Sequence, residues 1–369
     1  MTQYRVSYSA AQLWRECPQK YEYVYLRNIQ PKTQAVPLTL GSLLHKYLES
    51  YYNGIKDRSE QYKEAHELAL EVLSEDAKQC DMLGNALVMA DAPELAEEMF
   101  ALPARARRLC DRYYITVGMV DALSYDILHV EQWLEQPLLT MRTGDTIITP
   151  MKIDLVVRDR FDGAVELWDH KSTGRIPSIG HHLRDLQLSV YNVALQEHFG
   201  LEVSRLVWNY INTNEPTVPR VLKNGSLSRD KSIQTTEEVY LSTIIDLGLD
   251  PNDYDDMLDM LRPREHDVYF PRVSVPISLR NETPLLQDFM LTAVQMVEAH
   301  KDIESGRSHA RTAIRHIARH CDWCAFNAIC TADLTDGDGQ YVIDTEFNLK
   351  GAKLPVSKLY EGSLFDGDS

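Results

Sequence analysis

Three side chains on two neighbouring strand-like segments carry the densest chemistry in this chain. Asp154 lies in Met151–Val157, and Asp169 and Lys171 lie in Val165–Lys171. The stretch between them, Arg158–Gly163, is rich in Asp and ends in Gly, the composition of a turn, so a β-hairpin is predicted. Asp169 and Lys171 are two residues apart and leave the same face of their strand. Two carboxylates buried near each other are costly unless a cation compensates them. A divalent metal is the usual compensation, and oxygen ligands suit Mg²⁺ or Mn²⁺. An Asp-x-Lys triplet is also common on solvated strand edges, so other parts of the chain must decide between the two.

Three further groups stand out. Leu40–Glu49 reads as a helix whose buried stripe is Leu40, Leu44, Tyr47, Leu48 and Tyr51. His45 and Glu49 are four apart and share one of its faces. Gln187 and Tyr191 are one turn apart on a second helix, beginning sixteen residues after Lys171. Six cysteines occur, at 17, 80, 110, 321, 324 and 330, and the last three form C-x2-C-x5-C. That spacing lets three thiolates converge, with Cys17 the candidate for a fourth. Four thiolates fit an iron–sulfur cluster or zinc, and buried free thiols are the remaining alternative. Cys80 and Cys110 have no motif around them and read as ordinary helix cysteines.

The pattern Asp154, then Asp169-His170-Lys171, resembles the active-site motif of the PD-(D/E)xK nuclease superfamily. Gly41-Ser42-Leu43-Leu44-His45 resembles the Gly-x-x-x-His motif of its RecB-like branch, and Gln187-x-x-x-Tyr191 resembles that branch's Q-x-x-x-Y motif. The distant Cys17 with C-x2-C-x5-C is similar to the iron-staple nucleases, which include the AddB nuclease domain and CRISPR-associated RecB-like exonucleases. These elements follow the family order over roughly 5–332, with an unmatched middle.

The resemblance implies an α/β fold with a restriction-endonuclease-like core: a mixed central sheet flanked by helices, a helical insertion, and N- and C-terminal segments stapled by Fe–S. It implies Mg²⁺ or Mn²⁺ on His45, Asp154, Asp169 and the His170 carbonyl. Lys171 would position or deprotonate water or neutralise developing charge, and Gln187 and Tyr191 would align the scissile strand. Glu49 could be an outer ligand, though a solvated role suits it better. A [4Fe-4S] cluster would sit on Cys17, Cys321, Cys324 and Cys330. By analogy with a disulfide, so long a closure contributes on the order of 5–6 kcal/mol at most. The implied activity is a deoxyribonuclease, an exonuclease acting on single-stranded DNA or DNA ends in recombination, repair or phage DNA processing. The alternatives are a DNA-binding component of a larger complex, with a protein partner, and a zinc-stapled module without catalysis.

The chain as a whole bounds these expectations. Its 369 residues are 44% hydrophobic, enough for a large core. No run of about 18 apolar residues is present and the N-terminus lacks an apolar signal core, so no membrane span is expected and a cytoplasmic protein with reduced thiols is. The net charge of −17 is not the footprint of a nucleic-acid binder. Basic residues are partly local, at Arg105-Ala106-Arg107-Arg108 and Arg307–Arg319, and metals offset the field where phosphate binds.

The predicted organisation is an N-terminal ligand segment at 1–58, a helical insertion at 59–116, a nuclease core at 117–280, C-terminal helices with the cysteines at 281–332, and a tail at 333–369. Ser9–Gln12 is read as a capping box before a helix bearing Leu13, Trp14 and Cys17. Tyr21, Tyr23 and Tyr25 are expected to pack around the cysteines. Strands are predicted at 118–135, 146–158, 164–172 and 205–211, with an edge strand at 268–273. Helices are predicted at 182–199, 235–247, 252–261 and 283–304, with a polar excursion at 213–233 and a tail after 333 that shows no period.

Overall fold

A computed structural model describes residues 2–32, 36–277, 279–305, 314–335 and 337–349. Of the basic stretch Arg307–Arg319, residues 307–313 lie outside the described residues, as does the tail from 350. Among the described residues eight strands are present: β1 Gln3–Arg5, β2 Ile29–Pro31, β3 Tyr125–Thr140, β4 Thr146–Asp159, β5 Val165–Thr173, β6 Val203–Asn212, β7 Arg272–Pro276 and β8 Phe347–Leu349.

The predicted hairpin is β4–β5, antiparallel from Leu155 opposite Trp168 to Arg158 opposite Val165. Its turn forms as the composition implies. Asp159 Oδ1 accepts the Phe161 amide at 2.8 Å, Asp162 Oδ1 accepts the Ala164 amide at 2.9 Å, and Gly163 supplies the left-handed residue at φ 74°. β5 is buried without a break from Val165 to His170, as a strand covered on both faces must be. It continues to β6 through the helix Gln187–Phe199, and the two strands are parallel, so the sheet is mixed. β7 closes the far edge, antiparallel to β6.

Along one edge β4 pairs with β3 over its whole length. Its other edge is shared. β1 takes Thr146–Ile148 and β5 takes Leu155–Arg158. Among the described residues no strand pairs with that edge from Thr149 to Asp154, so a gap opens in the sheet at Asp154.

Helices cover both faces. Val36–Ile55, Tyr62–Asp76, Lys78–Met89 and Pro93–Tyr113 share a core with Leu155, Val157 and Trp168. The helices Tyr8–Glu16, Gln187–Phe199 and Leu279–Glu304 share another with Val156, Leu167 and Trp208. The odd-numbered residues of β4 change sides at the gap: Leu155 and Val157 belong to the first core, Met151 and Ile153 to the second. On the partner strand at this point Glu131 has φ 49°, left-handed backbone that a non-glycine residue adopts only when its surroundings hold it there.

Several expectations need correction. The first helix is capped by Ser7, whose side chain accepts the Ala10 amide at 3.2 Å, rather than by a box at Ser9–Gln12. The strand predicted from 118 starts at Tyr125, because Met119–Ser124 continues as helix. Residues 182–199 are two helices, Ile179–His182 and Gln187–Phe199, so Gln187 opens the second. The edge strand falls at Arg272–Pro276, because Asp255–Tyr269 runs on as helix through Pro263. Residues 337–349 of the tail carry regular structure: the helix Gly339–Glu346, capped by Asp338, leads into β8, which pairs with β2. That pairing ties the C-terminal segment to the N-terminal one.

Candidate active site

The site forms where β4 and β5 part company. The β4–β5 ladder ends at Leu155 and Trp168, and the next residue, Asp154, spends its side chain on the strand it has left: Oδ2 accepts the His170 amide at 2.8 Å. This fixes the Asp154 carboxylate beside the Asp169-His170-Lys171 run.

The helix Val36–Ile55 brings His45. It approaches the end of β5 closely at Gly41, where a Cβ would stand 3.0 Å from Ser172 Oγ. One turn further on, His45 Nε2 lies 3.1 Å from the His170 carbonyl oxygen. A carbonyl can only accept, so Nε2 carries the hydrogen and Nδ1 points the other way. Nδ1 lies 3.7 Å from Glu131 Oε1 and 3.9 Å from Asp154 Oδ2. Burial works against a proton on this ring, but the two carboxylates outweigh it and raise the His45 pKa above its ordinary value.

Glu131 was not anticipated. Val130 opposite Leu155 and Gln132 opposite Ile153 put it directly across from Asp154. Its second oxygen is engaged by the Lys152 ammonium. Among the described residues, His45, Glu131 and Asp154 are the one set of three metal-donor side chains whose ligand atoms all lie within 4.8 Å of one another. One imidazole nitrogen and two carboxylates, with the imidazole's other N–H held by a carbonyl, fit a hard divalent cation. Burial, and secondly the Asp169 charge, push the Asp154 pKa up to about 7. That is the cost a cation would remove.

Asp169, expected in the same set, faces a different partner. Its Oδ2 is 2.7 Å from Lys171 Nζ and its Oδ1 accepts from Gln187 Nε2 at 2.9 Å. Gln187 Oε1 in turn accepts from Lys171 Nζ at 3.1 Å, closing a triangle. The same Nε2 reaches the Tyr191 hydroxyl at 3.3 Å. Gln187 therefore holds the Lys–Asp pair with both ends of its amide. Its place is set by Asp185, another residue sequence reasoning missed, whose Oδ1 accepts the Gln187 amide at 2.9 Å and whose Oδ2 accepts the Trp208 indole at 3.2 Å. Burial would lower the Lys171 pKa, but Asp169 outweighs it and the pKa is raised, so Lys171 is a cation here.

The His170 carbonyl, expected as a metal ligand, accepts from His45 Nε2 and has a second lone pair beside that bond. The His170 ring points away from the site. Asn209 Nδ2 donates to His170 Nδ1 at 2.9 Å, and Asn209 Oδ1 accepts from Arg272 Nε at 3.0 Å. Arg272 is fixed by Asp121 at 2.7 and 2.6 Å and lies over the Trp168 ring. Glu49 pairs with Lys46 at 3.2 Å and is not in the donor set.

The basic run near 105 is spent internally. Arg105 binds the Thr213 carbonyl, Arg107 pairs with Asp111, and Arg108 pairs with Glu215. Cys80 and Cys110 are buried in helices, as expected. Cys17, Cys321, Cys324 and Cys330 border one cavity together with Lys20 and Arg315, yet they form no donor set as tight as that of His45, Glu131 and Asp154. Tyr23 stacks on Phe326 nearby and donates to Asp333 at 2.8 Å, the packing role expected of it.

A hairpin presenting Asp154, Asp169 and Lys171, with a helix delivering His45, is the arrangement the sequence motif requires. The family model of the PD-(D/E)XK nuclease superfamily matches residues 5–331. The chain belongs to the PD-(D/E)XK nuclease superfamily. The superfamily implies a metal-dependent phosphodiester hydrolase with DNA as substrate, and the mixed sheet with its flanking helices is consistent with that fold. None of the curated proteins searched matches the chain. Among the described residues no helix is long and apolar enough to cross a membrane.

Proposed function

We propose that this superfamily member is a RecB-like exonuclease that cuts single-stranded DNA or DNA ends, with Mg²⁺ or Mn²⁺ at the hairpin and a [4Fe-4S] cluster on Cys17, Cys321, Cys324 and Cys330. The observation that carries the catalytic reading is the pairing of two arrays across one gap: the donors His45, Glu131 and Asp154 on one side, and the Asp169–Lys171–Gln187 triangle on the other.

The bound metal would lower the pKa of water and stabilise charge on the phosphate. His45, Glu131 and Asp154 would hold it, with Asp169 a further carboxylate beside them. Lys171, kept protonated by Asp169, neutralises charge building on the phosphate oxygens rather than removing a proton. Gln187 keeps Lys171 aimed when Asp169 turns toward a cation, and Tyr191 braces Gln187.

The cysteine reading rests on the meeting of Cys17 with the three C-terminal cysteines around one cavity, and on Lys20 and Arg315 there to offset thiolate charge. Arg315 Nε already lies 3.2 Å from Cys330 Sγ. The placement of such a protein in recombination, repair or phage DNA processing follows from the same resemblance.

A second reading, a DNA-binding component of a larger complex, is favoured by the charge of −17 and by the internal pairing of Arg105, Arg107 and Arg108. The test is cleavage of linear and circular single strands by anaerobically purified protein with Mn²⁺. Degradation of the linear strand alone supports the exonuclease. Cutting of both shows an endonuclease, and cutting of neither by iron-loaded protein turns the reading to the complex component.

A further inference from the structure

We propose that Trp133 is a stacking platform for a base of single-stranded nucleic acid, placed one nucleotide away from the metal donors. The inference rests on the nuclease reading and gives it a substrate class. Trp133 is 66% exposed and belongs to none of the hydrophobic cores. Isolated exposed apolar residues are ordinary. Phe161, 98% exposed on the hairpin turn, is one. What sets Trp133 apart is its position.

It lies two residues beyond Glu131 on β3, about 7 Å along a strand. That is close to the length of one extended nucleotide. The β3–β4 register puts it directly opposite Lys152, itself two residues from Asp154. The Lys152 ammonium spans the two features: it engages the Glu131 carboxylate and lies 6.0 Å from the centre of the Trp133 ring. Lys152 thus ties the ring to the donor set, and the ring, the ammonium and the carboxylates share one side of the ribbon. The ribbon swivels at Glu131, where φ is 49°, so the backbone turns between the ring and the donors. A strand whose phosphate sits at the donors can run across this side of the ribbon and lay its next base on Trp133, with Lys152 between base and phosphate. A duplex keeps its bases stacked on each other and offers the ring no base face, so the platform selects single strands.

The test is the affinity of a short labelled oligothymidylate, and of a duplex of equal length, read by fluorescence anisotropy. Ca²⁺ replaces Mn²⁺ so that binding is measured apart from turnover. Trp133→Ala is expected to weaken oligothymidylate binding on the order of tenfold, the scale of one lost stacked base. Trp133→Phe keeps a ring and is expected to stay within about threefold of the unmutated protein, and the duplex to lose less than about threefold in either variant. Oligothymidylate binding by Trp133→Ala equal to that of the unmutated protein overturns the proposal. So does an equal loss for single strand and duplex, which marks a general distortion. If the alanine variant does not fold, tryptophan emission answers instead: oligothymidylate should quench the unmutated protein, and Trp133→Phe should remove most of that quench, whereas an unchanged quench overturns the platform. Mn²⁺-dependent cleavage by the unmutated protein is followed separately. Its absence sinks the nuclease reading without touching the stacking result, and intact cleavage with unaltered Trp133→Ala binding sinks only the platform.

Discussion

His45 illustrates how one hydrogen bond settles a chemical role. Because the His170 carbonyl can only accept, the imidazole must present Nδ1 to Glu131 and Asp154, and that nitrogen is the one placed to take a proton or a cation. Glu131→Gln keeps the shape and removes a charge from this set. It is expected to weaken Mn²⁺ binding by about 10–100-fold in calorimetry and to lower cleavage in step; unchanged metal affinity would remove Glu131 from the donors. Gln187→Ala leaves Lys171 with Asp169 alone, and is expected to lower kcat more than it raises KM, because it disturbs aim rather than binding. A rise in KM with kcat intact would assign Gln187 to substrate contact instead. Asp154, Asp169, Lys171, His45 and Gln187 were legible in the sequence because each sits in a short spaced motif. Glu131 was not: it lies in a long strand with no motif around it, and only the β3–β4 register brings it opposite Asp154. Asp185 was hidden for a similar reason, as a loop Asp whose role appears only when Gln187 proves to be the first residue of its helix.

Elements hold these residues through close approaches that tolerate little change. At Gly41 the helix rides against Ser172, with no room for a Cβ beyond 3.0 Å. Gly41→Val is expected to push the helix off β5 and to move His45, and a displacement near 1 Å costs on the order of 100-fold in rate. The check is activity beside melting temperature: a fall in Tm with full activity retained would contradict this positioning role. At the other end of β4, Asp145 accepts from Lys301 Nζ, from the Thr2 amide at 2.9 Å and from Thr143 Oγ1 at 2.8 Å. Lys301 foremost, then the Thr2 amide, hold its carboxyl well below the usual carboxylate range. A depressed folded-state pKa stabilises fully above the unfolded value near 4 and fades as pH falls through the folded one. The Tm gap between the unmutated protein and Asp145→Asn should therefore stay level from about pH 7 to 5 and narrow below about 4. A gap that widens in acid would refute the sign. The hairpin and the helices were readable from period and turn composition, whereas the mixed sheet was only what the family resemblance implies. The boundaries that moved, at Tyr125, Arg272 and Ser7, did so because neighbouring helices ran on or a nearer cap was available.

At the scale of the molecule, the N-terminal segment meets the segment 321–349. β2 pairs with β8, Tyr23 stacks on Phe326, and Cys17 borders the same cavity as Cys321, Cys324 and Cys330. The resemblance to the iron-staple nucleases implies a tie between these segments, whereas the tail's short helix and strand did not show in hydropathy because each is less than ten residues long. Cys324→Ala is expected to abolish bound iron and the brown absorbance and to lower the Tm. Full iron content with an unchanged Tm would rule out the staple. The central claim, a metal-dependent nuclease centred on the β4–β5 hairpin, is tested most directly by hydrolysis of single-stranded DNA labelled at either end. Unmutated protein with Mn²⁺ is compared with Lys171→Ala. The expected result is cleavage that requires the metal and is lost in the variant, while fold and cluster absorbance persist. Cleavage retained by folded Lys171→Ala, or none from folded, iron-loaded unmutated protein, would contradict it.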